Sequence, residues 1–240
     1  MNQGRRNVIP TVCVNTYNGG NCETLLNQLS QHLEPTQIIV VKGGMSVTSV
    51  AMTNTHCQVF VEHNSIDYTS HIAVIEHREN IERCIKRPLD AFMYLHDTCA
   101  VTPHFFNWLQ THYSSETARL MSPSMVFKYC FNLGVYNVDD LTSIKNQIFA
   151  LKCTPQGAIE HGACKGLGIV LEDRIFHILS TTNTLETTWR FHMYKGRRAK
   201  LYFPTIGLIK YQSCGIFCPW SWWTCLKNVQ RARLHMCPLE

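Results

Sequence analysis

The stretch DAFMYLHDTCAVTPHFFNWL, Asp90 to Leu109, decides how this chain is read. Ala91 to Leu95 is a short apolar run between charged flanks, with the length and residue mix of a buried strand, although periodicity alone leaves a helix open. The run stops at His96, Asp97 and Thr98, and Pro103 then opens a helix to about His112. Ligands of open α/β sheets bind beyond the carboxyl ends of the strands, so this reading delivers Asp97 to a ligand crevice. The competing reading makes Asp97 a cap on the turn before the Pro103 helix.

Upstream, Val8 to about Asn15 reads as a strand ending in the turn NTYNGG, followed by a helical pattern with Leu25, Leu26, Leu29 and Leu33 on one face and Asn21 as its cap. Gln37 to Val41 gives a second strand closed by Gly43 and Gly44, and Cys57 to Glu62 gives a third. Ile72 to Lys86 reads as a helix returning the chain to the Ala91 strand. Strand, crossover helix and strand with short connections predict an α/β fold with a mostly parallel, Rossmann-like central sheet flanked by helices. Further along, Asn137 or Asp139 caps a helix running to about Leu151, and GRRAKLYFPTIGLIKYQ has strand-like alternation. No repeat or low-complexity linker interrupts the pattern, which predicts one domain over residues 1–240.

The 240 residues suffice for a sizeable core, and the charge content of 16% leaves no segment that reads as disordered. No apolar run reaches the length of a membrane span, and the N-terminal MNQGRRNVIP lacks the apolar region of a secretory signal, so a cytoplasmic protein is expected. The 12 cysteines are spread along the chain and read as free thiols, with Cys13, Cys130 and Cys153 as small core residues. The net charge of +5 is uneven, since nine Lys or Arg stand against two acids from Glu186 onward. Such a region can face phosphate, an anionic membrane or nucleic acid. No nucleic-acid-binding module accompanies it, and no nucleic-acid partner is expected.

The order VNTYNGG after the first strand, VVKGG after the second and YLHDTC after the Ala91 strand resembles the GT-A glycosyltransferases, across roughly Val8 to Gln212. The short chain is also similar to the stand-alone sugar transferases of large DNA viruses. The resemblance implies a nucleotide-binding half over about 1–110, an acceptor half over 111–212 and a C-terminal extension over 213–240. It implies transfer of a sugar from a nucleoside-diphosphate sugar to a glycan or glycoprotein acceptor, assisted by Mn2+ or Mg2+. Asp97 then takes the place of the family's DxD metal ligand. A full DxD would put a second carboxylate at Leu95 or Cys99, so the metal would be held by Asp97 with help from an imidazole of His96, His161 or His177.

Thr16, Tyr17 and Asn18 correspond to the turn that meets the nucleotide, with Gly19 and Gly20 read as residues needing positive φ. Lys42 and Asn64 fall at the ends of the second and third strands, and Asp67 suits ribose hydroxyls. Arg197, Arg198 and Lys200 suit the diphosphate, or alternatively a solvated basic hairpin. Glu160, in the glycine-flanked GAIEHG, is the first candidate for the general base on the acceptor, with Asp139 and Asp140 as rivals that equally suit a helix N-terminus.

The terminal segment crowds Trp220, Trp222 and Trp223 beside Lys227, Arg231 and Arg233, which suits a docked helix or contact with a membrane surface. Two other classes stay open. One is a non-catalytic nucleotide- or zinc-binding interaction protein, for which Cys214, Cys218, Cys225, His235 and Cys237 are the ligand candidates. The other is a nucleotidyltransferase, for which NTYNGGN offers glycines but no nearby basic residue.

Overall fold

A computed structural model describes residues 9–113, 119–122, 134–152, 184–186, 190–194 and 198–213. Three largely apolar strands make its centre: β1 (Val12–Tyr17), β2 (Ile38–Gly43) and β5 (Ala91–His96). Nearly every side chain in them is buried on both faces, which is what a strand covered by helices on both sides requires. β4 (Cys57–Val61) pairs parallel with β2, and β1 pairs parallel with both β2 and β5.

The parallel strands therefore run β4-β2-β1-β5, with the chain reversing its direction of travel across the sheet between β1 and β5. Antiparallel strands complete the sheet. β3 (Ser49–Met52) pairs with β4, and β8 (Gly134–Asn137) pairs with β5. β7 (Arg119–Ser122) then joins β8 antiparallel, and β9 (Thr184–Glu186) joins β7 in parallel. The expectation of a mostly parallel sheet is thus corrected to an α/β fold with a mixed sheet. Its flanks accept antiparallel partners because only the βαβ crossovers around β1 enforce parallel pairing.

Helices cover both faces. On one, α2 (Thr69–Ile85) packs Ile72, Val74 and Ile81 against the sheet beside α4 (Val138–Ser143) and α5 (Lys145–Phe149). On the other, α1 (Glu23–Leu29) buries Leu25 and Leu29, and α3 (Pro103–His112) buries Phe105 and Leu109. Each fully buried Leu, Ile or Phe contributes about 1.5–3 kcal/mol of transfer free energy. α3 has the bounds that Pro103 predicts. The single helix expected from Asn137 to Leu151 is instead two, broken at Ile144, and Asn137 caps the first by accepting the Asp140 amide at 2.9 Å.

The basic segment forms a second sheet. β10 (Arg190–Tyr194), β11 (Arg198–Phe203) and β12 (Leu208–Ser213) pair antiparallel, and β12 pairs in turn with β6 (Cys99–Val101). β6 follows the Asp97–Thr98 turn directly, so that turn is where one sheet hands the chain to the other. No helix among the described residues is long and apolar enough to cross a membrane.

A candidate ligand site at the ends of the parallel strands

Asn15 and His96 are partners in the β1–β5 register, so the residues that follow them, Thr16 and Asp97, stand side by side where that pairing ends. The Asp97 amide donates to the Asn15 carbonyl at 2.9 Å, extending the ladder by one bond. The Thr16 hydroxyl donates to Asp97 Oδ2 at 2.8 Å. On the far side, the Asn18 amide donates to the Gly43 carbonyl at 2.8 Å, which seats the turn on the end of β2. The turn closes with the Gly20 amide donating to the Tyr17 carbonyl at 2.8 Å.

The two glycines of this turn serve different ends. Gly19 has φ +96°, where a side chain would be strained. Gly20 is not in that region; a Cβ there would meet Asp97 Oδ2 at 2.7 Å and collide with Thr16 Oγ1. The sequence expectation of positive φ at both is corrected for Gly20, whose role is close approach to the carboxylate.

The Asp97 side chain is only 5% exposed, and His96 stands over it, with Nδ1 2.5 Å from Oδ1. That contact is close but not aligned for hydrogen bonding, so Oδ1 is buried without an in-line donor. His96 Nε2 lies 3.4 Å from Asp67 Oδ1, which sets the imidazole between two carboxylates from different loops. Burial pushes the Asp97 carboxyl up, but the His96 contact, the Thr16 hydroxyl and the Thr98 amide outweigh it and hold the group below the usual carboxylate range.

Asp67 lies in a single helical turn before α2, and the Tyr94 hydroxyl donates to its carbonyl at 2.9 Å. The start of α2 is tied to β1 because Asn15 Oδ1 accepts from the Ser70 amide at 3.0 Å and the Ser70 hydroxyl at 2.7 Å. Lys42 pairs in register with Thr16 and is half-buried. Asn64 crosses over the end of β2, its Cα 3.4 Å from where a Gly43 Cβ would stand. Tyr17 is 48% exposed, its ring in solvent at the rim. Cys22, which the sequence did not single out, lies in the same neighbourhood. Burial and the Asp97 charge push its thiol up, while Lys42 pulls it down. A cleft of about 320 Å³ opens beside Gly20, lined by Asn21, Cys22, Glu23, Leu26 and Asn27.

The residues brought together are therefore Thr16, Tyr17, Asn18, Lys42, Asn64, Asp67, His96 and Asp97. Asp139 and Asp140 are not among them. Asn137 pairs with Ala91 at the start of β5, so these acids sit at the opposite edge of the sheet, about 20 Å from Asp97 at about 3.3 Å per strand residue. Asp139 is instead bound to Arg78 at 2.5 Å. Glu160, His161, His177, Arg197 and the terminal tryptophans, with the cysteines and His235 proposed for zinc, lie outside the described residues, as do Cys130 and Cys153. Arg198 begins β11, and Cys13 is fully buried as expected.

Among the described residues, no group of three or more His, Cys, Asp or Glu is arranged to hold a metal ion. Asp97 nevertheless has the chemistry a hard cation takes, a carboxylate held below the usual range and oriented by Thr16. His96 does not suit as a ligand, because both its ring nitrogens face carboxylates. No family model matches the chain, and no curated protein matches it in sequence.

Proposed function

We propose that this chain is a nucleotide-sugar-dependent glycosyltransferase of GT-A-like build, with the donor bound where β1 and β5 end. The observation that carries the reading is the Thr16–Asp97 hydrogen bond at the point where strand order reverses. In open α/β sheets that reversal leaves a crevice beyond the strand ends, and there the TYN turn and the acidic residue are in contact. The four parallel strands, ordered β4-β2-β1-β5, support the same arrangement despite the antiparallel flanks.

Each residue then has a task its chemistry suits. The exposed Tyr17 ring offers a face for a nucleobase, and Asn18 adds a hydrogen-bonding side chain beside it. Asp67 accepts ribose hydroxyls, and Lys42 adds positive charge near the phosphates. Asp97 holds the divalent ion, with diphosphate oxygens and water supplying the other ligands. Mn2+ or Mg2+, when bound, neutralises the charge that develops on the departing diphosphate. His96 acts through Asp97, keeping the carboxylate turned towards the crevice. Glu160 remains the proposed base for a glycan or glycoprotein hydroxyl.

The test is thermal unfolding against a panel of nucleoside diphosphates and their sugars, with and without Mn2+. A ligand present at 100 times its dissociation constant adds about 2.7 kcal/mol, a readily measured shift. If no nucleoside diphosphate or nucleotide sugar stabilises the protein in either condition, the reading is wrong.

A further inference from the structure

The second sheet has two faces of different chemistry. Residues paired across an antiparallel sheet share a face, and successive rows alternate between the faces. The row of Phe203, Leu208 and Val101 is buried in the apolar cluster that α1 and α3 join, so its face is the inner one. On the alternate rows Tyr202 and Ile209 are half-buried and Tyr211 is 39% exposed, which makes that face the outer one.

The outer rows follow one rule. Arg190 is paired with Tyr202, Lys200 with Tyr211 and Arg198 with Tyr194, so every row carries one cation and one tyrosine on neighbouring strands. No Asp or Glu occurs between Glu186 and Glu240, so no carboxylate of these strands offsets the charge. Neighbouring strands lie about 4.8 Å apart, and alternate rows are separated by two residues of strand rise, about 7 Å. A ligand matched to this face repeats a flat ring and a negative charge along an extended chain.

Single-stranded nucleic acid has that repeat, since its bases stack on aromatic rings while its phosphates meet Arg and Lys. An anionic membrane fits less well, because interfacial surfaces insert apolar side chains and Ile209 is the only large aliphatic residue in the three outer rows. An acidic peptide would engage the cations and leave the tyrosines without a task. We infer that the outer face of the second sheet binds single-stranded nucleic acid, with Arg190, Arg198 and Lys200 serving its phosphates and Tyr194, Tyr202 and Tyr211 its bases. The sequence shows no module of this kind because the face exists only once β10, β11 and β12 pair. The inference is independent of the donor reading, and it withdraws Arg198 and Lys200 from the donor diphosphate.

Fluorescence anisotropy of labelled oligo(dT) and oligo(U), each about 12 nucleotides long, is measured on the full chain over a salt series. Heparin and phosphatidylserine vesicles serve as anions without bases. The wild type is expected to bind at least one oligonucleotide, and the tighter of the two says whether the strand is DNA or RNA. Lys200→Gln should weaken that binding and reduce the salt slope by about 0.7. Tyr211→Leu should weaken it about fivefold or more while Tyr211→Phe, which keeps the ring, stays within about twofold of wild type. Neither Tyr211 variant should alter heparin affinity. Lys145→Gln makes the same charge change on α5, across the main sheet, and should leave oligonucleotide binding unchanged. Absence of oligonucleotide binding overturns the inference, as does binding indifferent to Lys200 or equal in Tyr211→Leu and Tyr211→Phe. Heparin or vesicles bound more tightly than either oligonucleotide overturn it in favour of a surface that reads charge alone.

Discussion

The Thr16 hydroxyl donates to Asp97 Oδ2 at 2.8 Å across a separation of 81 residues. This bond joins the first strand turn to the turn between the two sheets, and it fixes one carboxylate oxygen while leaving the other facing His96. Whatever Asp97 does, it does from an orientation that β1 sets.

Asp97→Asn is nearly isosteric, and its amide oxygen can still accept from Thr16. The melting temperature should fall by only a few degrees, while the Mn2+ dependence of nucleoside-diphosphate binding, read by calorimetry, should disappear. A folded mutant that retains that dependence would remove Asp97 from metal binding.

Gly20→Ala introduces a Cβ that would stand 2.7 Å from Asp97 Oδ2. Overpacking of this kind costs about 1–3 kcal/mol, and relief requires the carboxylate or the turn to move. Urea unfolding should show that loss together with weaker nucleotide binding. An alanine variant as stable and as active as the wild type would mean the turn is looser than its geometry implies.

Asp139→Asn tests the acid that the structure sets apart from the crevice. Its side chain is 76% exposed and its partner Arg78 lies on the helical face, so the expected loss is under about 1 kcal/mol with nucleotide binding and transfer unchanged. A large loss of transfer at normal stability would return Asp139 to the mechanism.

Stability should decline in mild acid. His71 is fully buried between the Tyr94 and Tyr136 rings, and burial pushes it down from 6.5 to about 3. Below pH 6.5 the unfolded chain binds a proton that the folded chain refuses. The stabilisation is thus complete above that pH and is lost towards pH 3 at about 1.4 kcal/mol per pH unit. His63, pushed down to about 4 by burial and by Lys152, adds in the same direction. Unfolding free energies at several pH values should show a shallower slope in His71→Phe by about one proton. An unchanged slope would place the acid sensitivity elsewhere.

Much of the parallel core is legible in the sequence because its signals are local. Pro103 marks the start of α3, and the apolar runs at Ile38 and Ala91 become β2 and β5. β3 left no trace because it is an edge strand with mostly exposed residues, where apolar alternation has nothing to report. β6 is three residues long and exists only because β12 pairs with it. The close approach at Gly20 escaped for a related reason. Its meaning lies in an atom brought from Asp97, and a single chain read in order carries no record of that meeting.

The dependence of β6 on β12 also bears on how the chain is made. Thr102 Oγ1 donates to the Gly207 carbonyl over 105 residues, and the same seam pairs Cys99 with Lys210. A ribosome that has released α3 must add about 100 more residues before β12 emerges, which takes roughly 5–20 s at about 5–20 residues per second. Throughout that interval the nascent chain carries an unpaired strand edge beside Asp97, the kind of edge that recruits foreign strands. The region around Asp97 is therefore among the last to be completed, and slowing or accelerating translation through the second sheet changes how long its edge stands open to aggregation.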